Sequence, residues 1–432
     1  MRKPLRSVVV ITTLLLAANA CGSSDKASTG GSTSTSPGSA STSAAPGTTV
    51  AGGLDVTDFE AVKAAAKGQT VNWWMYGGDD TINAFVSGFV ADKLKSEFGV
   101  TLNQVKITDT KDAVQKVLDE TQAGKKTGGS VDAIWINGEN FATGVQADLW
   151  TCGYPEKMPS AEFVDFSVPT IANDFGVPVK GCESPWQQAN SALVYNSDVL
   201  KSSDVETLST VETWAKANPG KFTYTAPPDF TGSMVVRTFF YDTNGGPGSF
   251  GGKFDQAKYA PAADKTWKRL NDLKPALWMK GATYPQTESD LEKLYADGTL
   301  GAYLTYAPGG VTADVKKGTL PKSTRTAVFK DGNIGNYSFI SVPKNAAHQA
   351  AGIVLADVLL DLATQVAFFK ASGAFPAISL SKIPGDEAAT FSAPASESVL
   401  GLDKLQAKAL PELEPAYVTQ IEKDWKTNVL QK

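Results

Sequence analysis

Residues 70–80, TVNWWMYGGDD, combine a short apolar segment, a Gly-Gly turn and two aspartates. Thr70–Tyr76 is typical of a largely buried β-strand, and Asp79 or Asp80 can cap a helix that starts directly after the turn. The apolar residues that follow have helical spacing over positions 82–94. This stretch therefore predicts a strand–turn–helix unit, the building block of an α/β sheet.

Two more units of the same kind follow. Residues 100–107 are a second predicted strand, 112–122 a second helix and 131–137 (VDAIWIN) a third strand. Strands separated by helices of this length favour a parallel sheet. Ligands of open α/β sheets lie beyond the carboxyl ends of the strands, which directs attention to Tyr76–Asp80 and Asn137–Phe141.

The rest of the chain alternates in the same way. A second set of strands is predicted at 191–196, 222–226, 300–305 and 337–342. Helices are predicted at 210–217, from 229–233 onward, and at 258–274, 289–296, 402–410 and 417–430, with one long amphipathic helix at 350–370. The fold class expected is α/β, with two separated blocks rather than an eight-unit barrel.

Length and composition bound the possible functions. The chain has 432 residues, enough for two lobes or domains, and its net charge of −5 argues against nucleic acid as a partner. The single histidine, His348, excludes a multi-histidine metal site, and three cysteines are too few for structural zinc or an iron–sulfur cluster. A Walker A loop and a Rossmann fingerprint are absent from the sequence. We therefore expect no metal and no cofactor, and His348 is expected at a solvated helix entry.

The first 53 residues predict export and tethering. Residues 1–20 have a basic start and an apolar run too short to span a bilayer, as in a signal peptide. Ala18–Cys21 resembles a lipobox, in which Cys21 would carry a lipid; plain cleavage near Ala20 is the alternative. Residues 21–53 form a Gly/Ser/Thr/Ala-rich linker that cannot build a core, which favours the anchor reading.

Export also bears on the other two cysteines. Thiols pair outside the cytoplasm, so Cys152 and Cys182 are expected to form a disulfide. If Cys21 carries a lipid, all three cysteines are used and no free thiol remains.

Several motifs, in this order, resemble the extracellular solute-binding lipoprotein of a bacterial ABC importer. They are the lipobox-like Cys21, the first strand with its Gly-Gly turn, SALVYN at 191–196 followed by SDVL, and YSFISVPK at 337–344 before an Ala/Leu/Asp-rich helix. DAIWINGENF at 132–141 and NPGKFTYTAPPDFTGS at 218–233 are similar to the YnjB-type branch, which is itself similar to thiamine- and iron-type binding proteins.

The resemblance implies two α/β lobes of the type II periplasmic-binding-protein fold, each a mixed sheet flanked by helices, joined by crossover strands near 191–196, 300–306 and 336–342. The first lobe would comprise residues 54–190 plus 307–335, and the second 191–306 plus 336–432. The lobes would close on a small solute and present it to the membrane permease. We expect a monomer, lipid-anchored at the extracellular face of the membrane, without catalysis of its own.

Aromatic residues at strand ends are the first candidates for the cleft. Tyr76 and Tyr306 end their strands, and Trp135 lies near the end of the third strand. Trp186 is expected to be exposed, either as a lid on the disulfide or as a stacking platform for a planar or cationic ligand. For Trp73 and Trp74 a place in the strand's core is the simpler expectation.

Polar candidates lie at two other turns. Asn137 and Asn140 could hydrogen-bond a solute, although Asn-Gly also favours a plain turn. At the helix entry, Asp229, Thr231, Gly232 and Ser233 offer hydroxyls and free N–H groups for an anion, with simple capping by Asp229 as the alternative. Gly78 could approach a ligand similarly, but the aspartates beside it would attract a cation.

Other functions remain open at this level. A surface-anchored glycosidase needs only two carboxylates, and a purely structural lipoprotein needs no site. Among solutes, a thiamine-like compound, a sugar, a polyamine, a carboxylate and a metal chelate all fit.

Overall fold

The structure is a computed structural model that describes residues 53–392, 399–406 and 408–432. The predicted signal segment 1–20, Cys21 and the linker up to residue 52 lie outside these residues. The described residues belong to one compact unit.

Within the described ranges the strands are β1 Thr70–Tyr76, β2 Thr101–Ile107, β3 Ala133–Ile136, β4 Asn173–Asp174, β5 Val177–Pro178, β6 Ser184–Asn190, β7 Ala192–Asn196, β8 Ala302–Thr305, β9 Thr324–Ala327, β10 Asn333–Ser341 and β11 Ala409–Leu410. Each strand predicted between residues 70 and 137 is present, with ends that differ by at most two residues on either side.

The helices over the same ranges are α1 Phe59–Ala66, α2 Asp80–Phe85, α3 Ala91–Lys93, α4 Thr110–Gln122, α5 Glu139–Gln146, α6 Pro169–Ala172, α7 Leu208–Ala217, α8 Phe230–Thr243, α9 Gln256–Leu273, α10 Glu288–Ala296, α11 Val311–Lys317, α12 Gln349–Leu360, α13 Leu362–Ser372, α14 Gly385–Ser392, α15 Leu402–Gln406 and α16 Pro415–Trp425. Short π-helical segments at Val86–Val90 and Leu94–Phe98 join α2 and α3 into one helical run that ends at Phe98. A third π-helical segment extends α16 to Leu430.

The first sheet is built around residues 70–80, which contain β1 and the turn after it. Strand β1 lies between β2 and β3, parallel to both, and β3 is followed by antiparallel β10, which also pairs with β6 and β11. Alternate β1 residues Val71, Trp73 and Met75 are fully buried against the helices, as the period of two requires. The Asp79 carboxylate accepts hydrogen bonds from the N–H groups of Thr81 and Ile82, which fixes the helix start after the turn.

The second sheet has three strands in the order β8-β7-β9, all antiparallel. The chain enters it from the first sheet at Ser191, between the end of β6 and the start of β7. Each sheet has its own hydrophobic core. We call the part built on the first sheet the first lobe and the part built on the second sheet the second lobe.

The expected lobe boundaries are wrong after residue 306. Residues 307–335 were assigned to the first lobe, but β9 pairs with β7 in the second sheet, and Val311 and Leu320 pack in a second-lobe core. Residues 336–432 are expected in the second lobe, but β10 and α12 belong to the first sheet and its core, whereas Val399 and the segment around α16 pack in the second lobe.

The predicted crossover at 300–306 is also wrong, because β8 pairs with β7 inside the second sheet. The chain instead returns between β9 and β10 and crosses again before α16. At 222–226 a single bridge from Phe222 to Ala302 replaces the predicted strand, and the helix predicted at 402–410 ends at Gln406.

The long helix predicted at 350–370 is two helices. Asp361 ends α12 and caps α13, accepting a hydrogen bond from the N–H of Thr364. Every residue of α12 is buried, so this helix is a core element rather than an amphipathic one. Among the described residues no single helix is long and apolar enough to cross a membrane; α12 and α13 together pass that test by length and composition, and are bent by 67°.

The disulfide between Cys152 and Cys182 is confirmed. The two sulfurs are 1.96 Å apart, and the bridge closes a loop of 30 residues. It ties the segment after α5 to the entry of β6.

Replacing both cysteines by serine should lower the free energy of unfolding by roughly 3–4 kcal/mol, because the loop is no longer closed in the unfolded chain. Urea denaturation measures this change. Wild-type protein unfolded under reducing conditions should match the double variant, and equal stability of oxidised wild type and variant would contradict the prediction.

Candidate functional site

The carboxyl end of β1 faces the second lobe. Burial raises the pKa of Tyr76 to about 12, and the nearby charges of Glu288, Asp229, Asp79 and Glu292 add to this rise. Asp79 lies in the turn after β1, whereas the other three acids lie at the starts of α8 and α10. Tyr76 therefore lies within electrostatic range of acids of the second lobe.

Tyr76, Gly78 and Trp135 form one surface at this edge. The side chain of Tyr76 is 40% exposed, and its ring meets that of Trp135 edge-on at 6.3 Å between centroids. A Cβ at Gly78 would lie 2.1 Å from the hydroxyl oxygen of Tyr76, so only glycine leaves room for this ring position. The structure thus brings these three candidates together, with Gly78 leaving room for the ring of Tyr76.

Trp186 is not exposed, contrary to the expectation. Its side chain is 1% exposed and contacts Trp73 and Trp135 edge-on, at 5.6 and 4.7 Å, and stacks on Phe368 at 5.2 Å. Strand β6 pairs with β10 inside the first sheet and directs Trp186 into the core, where the helix that carries Phe368 covers it.

Trp186→Ala should lower the free energy of unfolding by roughly 3–5 kcal/mol, because it leaves a large cavity in the core. Tyr76→Ala, at the exposed edge, should lower it by about 1 kcal/mol or less. Chemical denaturation of the two variants checks the contrast, and a Trp186 variant as stable as the Tyr76 variant would refute the core position.

The start of α8 is capped by the protein itself. The Asp229 carboxylate accepts hydrogen bonds from the N–H of Gly232 at 3.0 Å and from the hydroxyl of Thr225 at 2.6 Å. A Cβ at Gly232 would lie 2.2 Å from the carbonyl oxygen of Thr225, so this glycine serves close backbone packing. The structure therefore supports the interpretation that Asp229 caps this helix, rather than a bound anion.

The hydroxyls of this turn already bind carboxylates. Thr231 donates to Glu288, and Ser233 donates to Glu422 at 2.5 Å. The expected anion site is therefore wrong, because the protein's own acids occupy the donors. Glu288 also accepts a hydrogen bond from Thr305.

Tyr306 lies at the end of β8 and is buried. Its hydroxyl donates to Glu412 and accepts from Arg237 at 3.1 Å. Its ring lies 4.9 Å from that of Phe230, whose side chain is 38% exposed. Phe230, which sequence reasoning missed, presents the aromatic surface that Tyr306 was expected to present.

Residues after β3 form the adjoining wall of the first lobe. Asn137 and Asn140 are half-buried on either side of Gly138, which has a φ of +65°. The N–H of Gly138 donates to Asp174 at 2.5 Å. Burial raises the pKa of Glu139, although the charge of Arg237 counteracts this rise.

Arg237 balances the acids on this side. It forms an ion pair with Glu412, with 3.0 Å between Nε and Oε2, and both side chains are at least 98% buried. It also donates to Ser233 at 2.5 Å, and its guanidinium lies 5.5 Å from the ring of Phe175. Burial opposes the charge of Arg237, but Glu412 and Tyr306 raise its pKa above the usual value.

Among the described residues, a second group of acids forms no ion pair like that of Arg237 with Glu412. We call Asp79, Asp229, Glu288, Glu292 and Asp314 the Glu288 cluster. Burial raises the pKa of Glu292 to about 8, and the charges of Glu288, Asp314 and Asp79 contribute. Burial likewise raises the pKa values of Glu288, Asp229 and Asp314. Hydrogen bonds counteract the rise for Glu288 and Asp229, and the charge of Lys317 counteracts it for Asp314.

Stability should depend on the ionisation of Glu292. An ordinary glutamate has a pKa of 4.5, so between that value and about 8 the folded state holds a proton that the unfolded state has lost. The stabilisation is complete below pH 4.5 and is lost as the pH rises through 8.

The free energy of unfolding should therefore fall, by an amount on the order of a few kcal/mol, between pH 5 and 9. Glu292→Gln mimics the protonated form and should flatten this fall, whereas exposed Glu156→Gln should not. Urea denaturation at several pH values is the measurement, and parallel pH profiles for wild type and Glu292→Gln would contradict it.

His348 is paired rather than simply solvated. Its backbone N–H donates to the Asp132 carboxylate at 2.8 Å, and its ring Nδ1 lies 3.3 Å from the same carboxylate, which is fully buried. The side chain of His348 is 34% exposed and lies at the entry of α12, away from the facing edges. Among the described residues, no group of three or more His, Cys, Asp and Glu side chains could hold a metal ion.

Comparison with known protein sequences gives the family of the chain. A model of the family described as bacterial extracellular solute-binding protein matches residues 89–386, which span both lobes. Protein YnjB of Escherichia coli K12 is 36% identical over 304 residues, covering 70% of this chain and 78% of that protein. The chain belongs to the bacterial extracellular solute-binding proteins.

Solved structures agree with this assignment at the level of the fold. The TpPotD lipoprotein of Treponema pallidum is 14% identical, with a TM-score of 0.60 and coverage of 84% of this chain and 100% of that one. The spermidine/putrescine ABC transporter substrate-binding protein PotD of Streptococcus pneumoniae is 11% identical, with a TM-score of 0.58 and coverage of 83% and 99%.

The expected two-lobed α/β fold is confirmed. This solute-binding protein acts outside the cytoplasm, and the glycosidase alternative has no support from the comparisons.

Proposed function

We propose that this protein captures a small solute between its two lobes and delivers it to the membrane subunits of an ABC importer. The observation that carries the proposal is the family match, which covers residues 89–386 and so runs through both lobes. The similarity to PotD, an ABC transporter substrate-binding protein, supports the delivery step. The protein acts as a binding monomer without catalysis.

The proposed solute site comprises residues from both lobes. Tyr76, Trp135, Asn137 and Asn140 form the first-lobe wall, with Gly78 beneath Tyr76. The start of α8, from Asp229 to Ser233, forms the opposite wall with Phe230 exposed. Tyr306 supports Phe230 from behind.

A simple experiment tests solute capture. The purified protein is incubated with a small-molecule extract and examined by native mass spectrometry and thermal unfolding. A retained small molecule that raises the melting temperature supports the proposal. The absence of any retained molecule and of any thermal shift would contradict it.

Closure of the lobes is supported by one close contact across the facing edges. Gly309, before α11 in the second lobe, meets Gly373, after α13 in the first. A Cβ on Gly309 would lie only 1.9 Å from the carbonyl oxygen of Gly373. Two glycines thus let the backbones touch, and a side chain would hold the lobes apart.

Gly309→Ala should weaken solute binding by about tenfold or more, because the methyl group must separate the edges that the solute bridges. Gly248→Ala, at an open position without a positive φ, is a control for stability. Calorimetric titration measures affinity, and X-ray scattering should give a larger radius of gyration for the Gly309 variant. Unchanged affinity and radius would contradict the closure model.

We also propose that Cys21 carries the lipid that tethers the protein to the membrane. The support is the lipobox-like sequence and the following linker, together with the lipoprotein description of TpPotD. Mass spectrometry of protein from the membrane fraction should find a diacylglyceryl group on Cys21. Cys21→Ser should release the protein into the medium, and an unmodified Cys21 would refute the anchor.

A further inference from the structure

The hairpin formed by β4 and β5 belongs to the first lobe at its base. Val179, just after β5, is buried in the core on the first sheet that also contains Ile134 of β3 and Phe339 of β10. The Asp174 carboxylate accepts a hydrogen bond from the N–H of Gly138 at 2.5 Å, which ties the hairpin to the turn after β3. The base of the hairpin therefore moves with the first lobe.

The tip of the same hairpin lies in the other lobe. Phe175 is 2% exposed, and its side chain packs in the core of the second lobe. The guanidinium carbon of Arg237, on α8, lies 5.5 Å from the centre of the Phe175 ring. Burial of an aromatic ring and a cation over its face both stabilise this arrangement. One side chain from the first lobe thus completes the core of the second.

The tip departs from the residue preference of its turn. Pairing of Asp174 with Val177 leaves Phe175 and Gly176 as a two-residue turn, with φ angles of +44° and +74°. Hairpin turns with positive φ at both positions favour Asn-Gly or Asp-Gly, and the left-handed conformation is strained for a bulky aromatic residue. Such strain persists only where the surroundings hold it, so the contacts of the ring in the second lobe outweigh the local cost.

The ring of Phe175 also lies next to both walls of the proposed solute site. A Cβ at Gly138, which follows Asn137 in the first-lobe wall, would lie 3.4 Å from atoms of this ring. The ring of Phe230, in the opposite wall, has its centre 6.4 Å from that of Phe175. Phe175 therefore links the two walls directly, and a change in the distance between them must disturb its contacts.

A cavity of about 210 Å³ borders the hairpin. Residues 173–176 line one part of it, and Tyr241, Pro247 and Phe250 of the second lobe line another. The hairpin is therefore not tightly packed against these second-lobe residues. The cavity gives the tip room to shift when the ring of Phe175 leaves the core.

We propose that Phe175 is a latch between the lobes: its ring holds them together in this arrangement and must leave the second-lobe core when they part. The inference rests on the proposed function and adds a positioning residue to it, since a solute between the walls is retained for as long as the lobes stay together. Removing the ring shifts the population of molecules toward separated lobes and speeds solute release.

X-ray scattering of the purified full chain, without added solute, tests the latch. Phe175→Asn removes the ring but keeps the turn, because asparagine adopts a positive φ readily, and its radius of gyration should exceed that of the wild type. Phe239→Ala is the matched control. Phe239 is also fully buried in the second-lobe core, with the guanidinium of Arg269 at 5.4 Å, but both residues belong to that lobe. This variant should lose stability without a change in radius.

Two results would overturn the latch. One is an equal radius for wild type and folded Phe175→Asn, and the other is an equal increase in Phe239→Ala, which would indicate a general loss of core packing. Far-UV circular dichroism checks folding. If Phe175→Asn does not fold, Phe175→Leu, which keeps an apolar side chain, should give a smaller increase in radius, and no increase in this variant would also overturn the inference.

Release of a loaded small molecule tests the link to the solute site. Wild type, Phe175→Asn and Phe239→Ala are loaded from the same small-molecule extract, transferred to buffer without extract and followed by native mass spectrometry. The retained molecule should leave Phe175→Asn about tenfold faster than the other two proteins. Equal release rates would overturn the role of the latch in retention. A wild type that retains no molecule would contradict the proposed function, whereas the scattering result decides separately whether Phe175 holds the lobes together.

Discussion

The buried ion pair between Arg237 and Glu412 organises the interface between the lobes. An isolated charge in this environment would be strongly unfavourable, so each group requires the other. Arg237 belongs to α8, whereas Glu412 lies in the final crossing segment and also accepts from Asn336 of β10. The pair thereby fixes a second-lobe helix against two segments that cross between the lobes, and it sets the position of Tyr306.

The contrast with the Glu288 cluster is the central feature of the site. Around Arg237 the acids have a cation and hydroxyl groups for partners. Beyond the Phe230–Tyr306 ring contact, Glu288 and Asp229 instead accept hydrogen bonds from hydroxyl and N–H groups. The ion pair thus lies where the lobes are held together, whereas acids held by neutral donors lie near Tyr76.

The sequence predicted the units that depend on local signals. The strand–turn–helix at 70–98 and the cysteine pair have signals close in sequence, and the structure has both. The lobe boundaries failed because β9 pairs with β7, about 130 residues earlier, and no local pattern in TRTA records that partner. Trp186 failed for the same reason: its polar neighbours in SPWQQAN suggested a surface, but pairing with β10 buries the strand on both faces.

The sequence suggested the candidate residues Tyr76, from the strand-end rule, and the start of α8, from its helix-entry motif. It did not suggest Glu288 and Arg237, because their helices α10 and α8 carry no local signal for the contacts that these two side chains make. The most direct measurement is a crystal structure of the protein with the solute that it retains from extract. The account predicts a small molecule between the two lobes, in contact with Tyr76 and the start of α8. A solute bound away from both, or no retained solute at all, would contradict it.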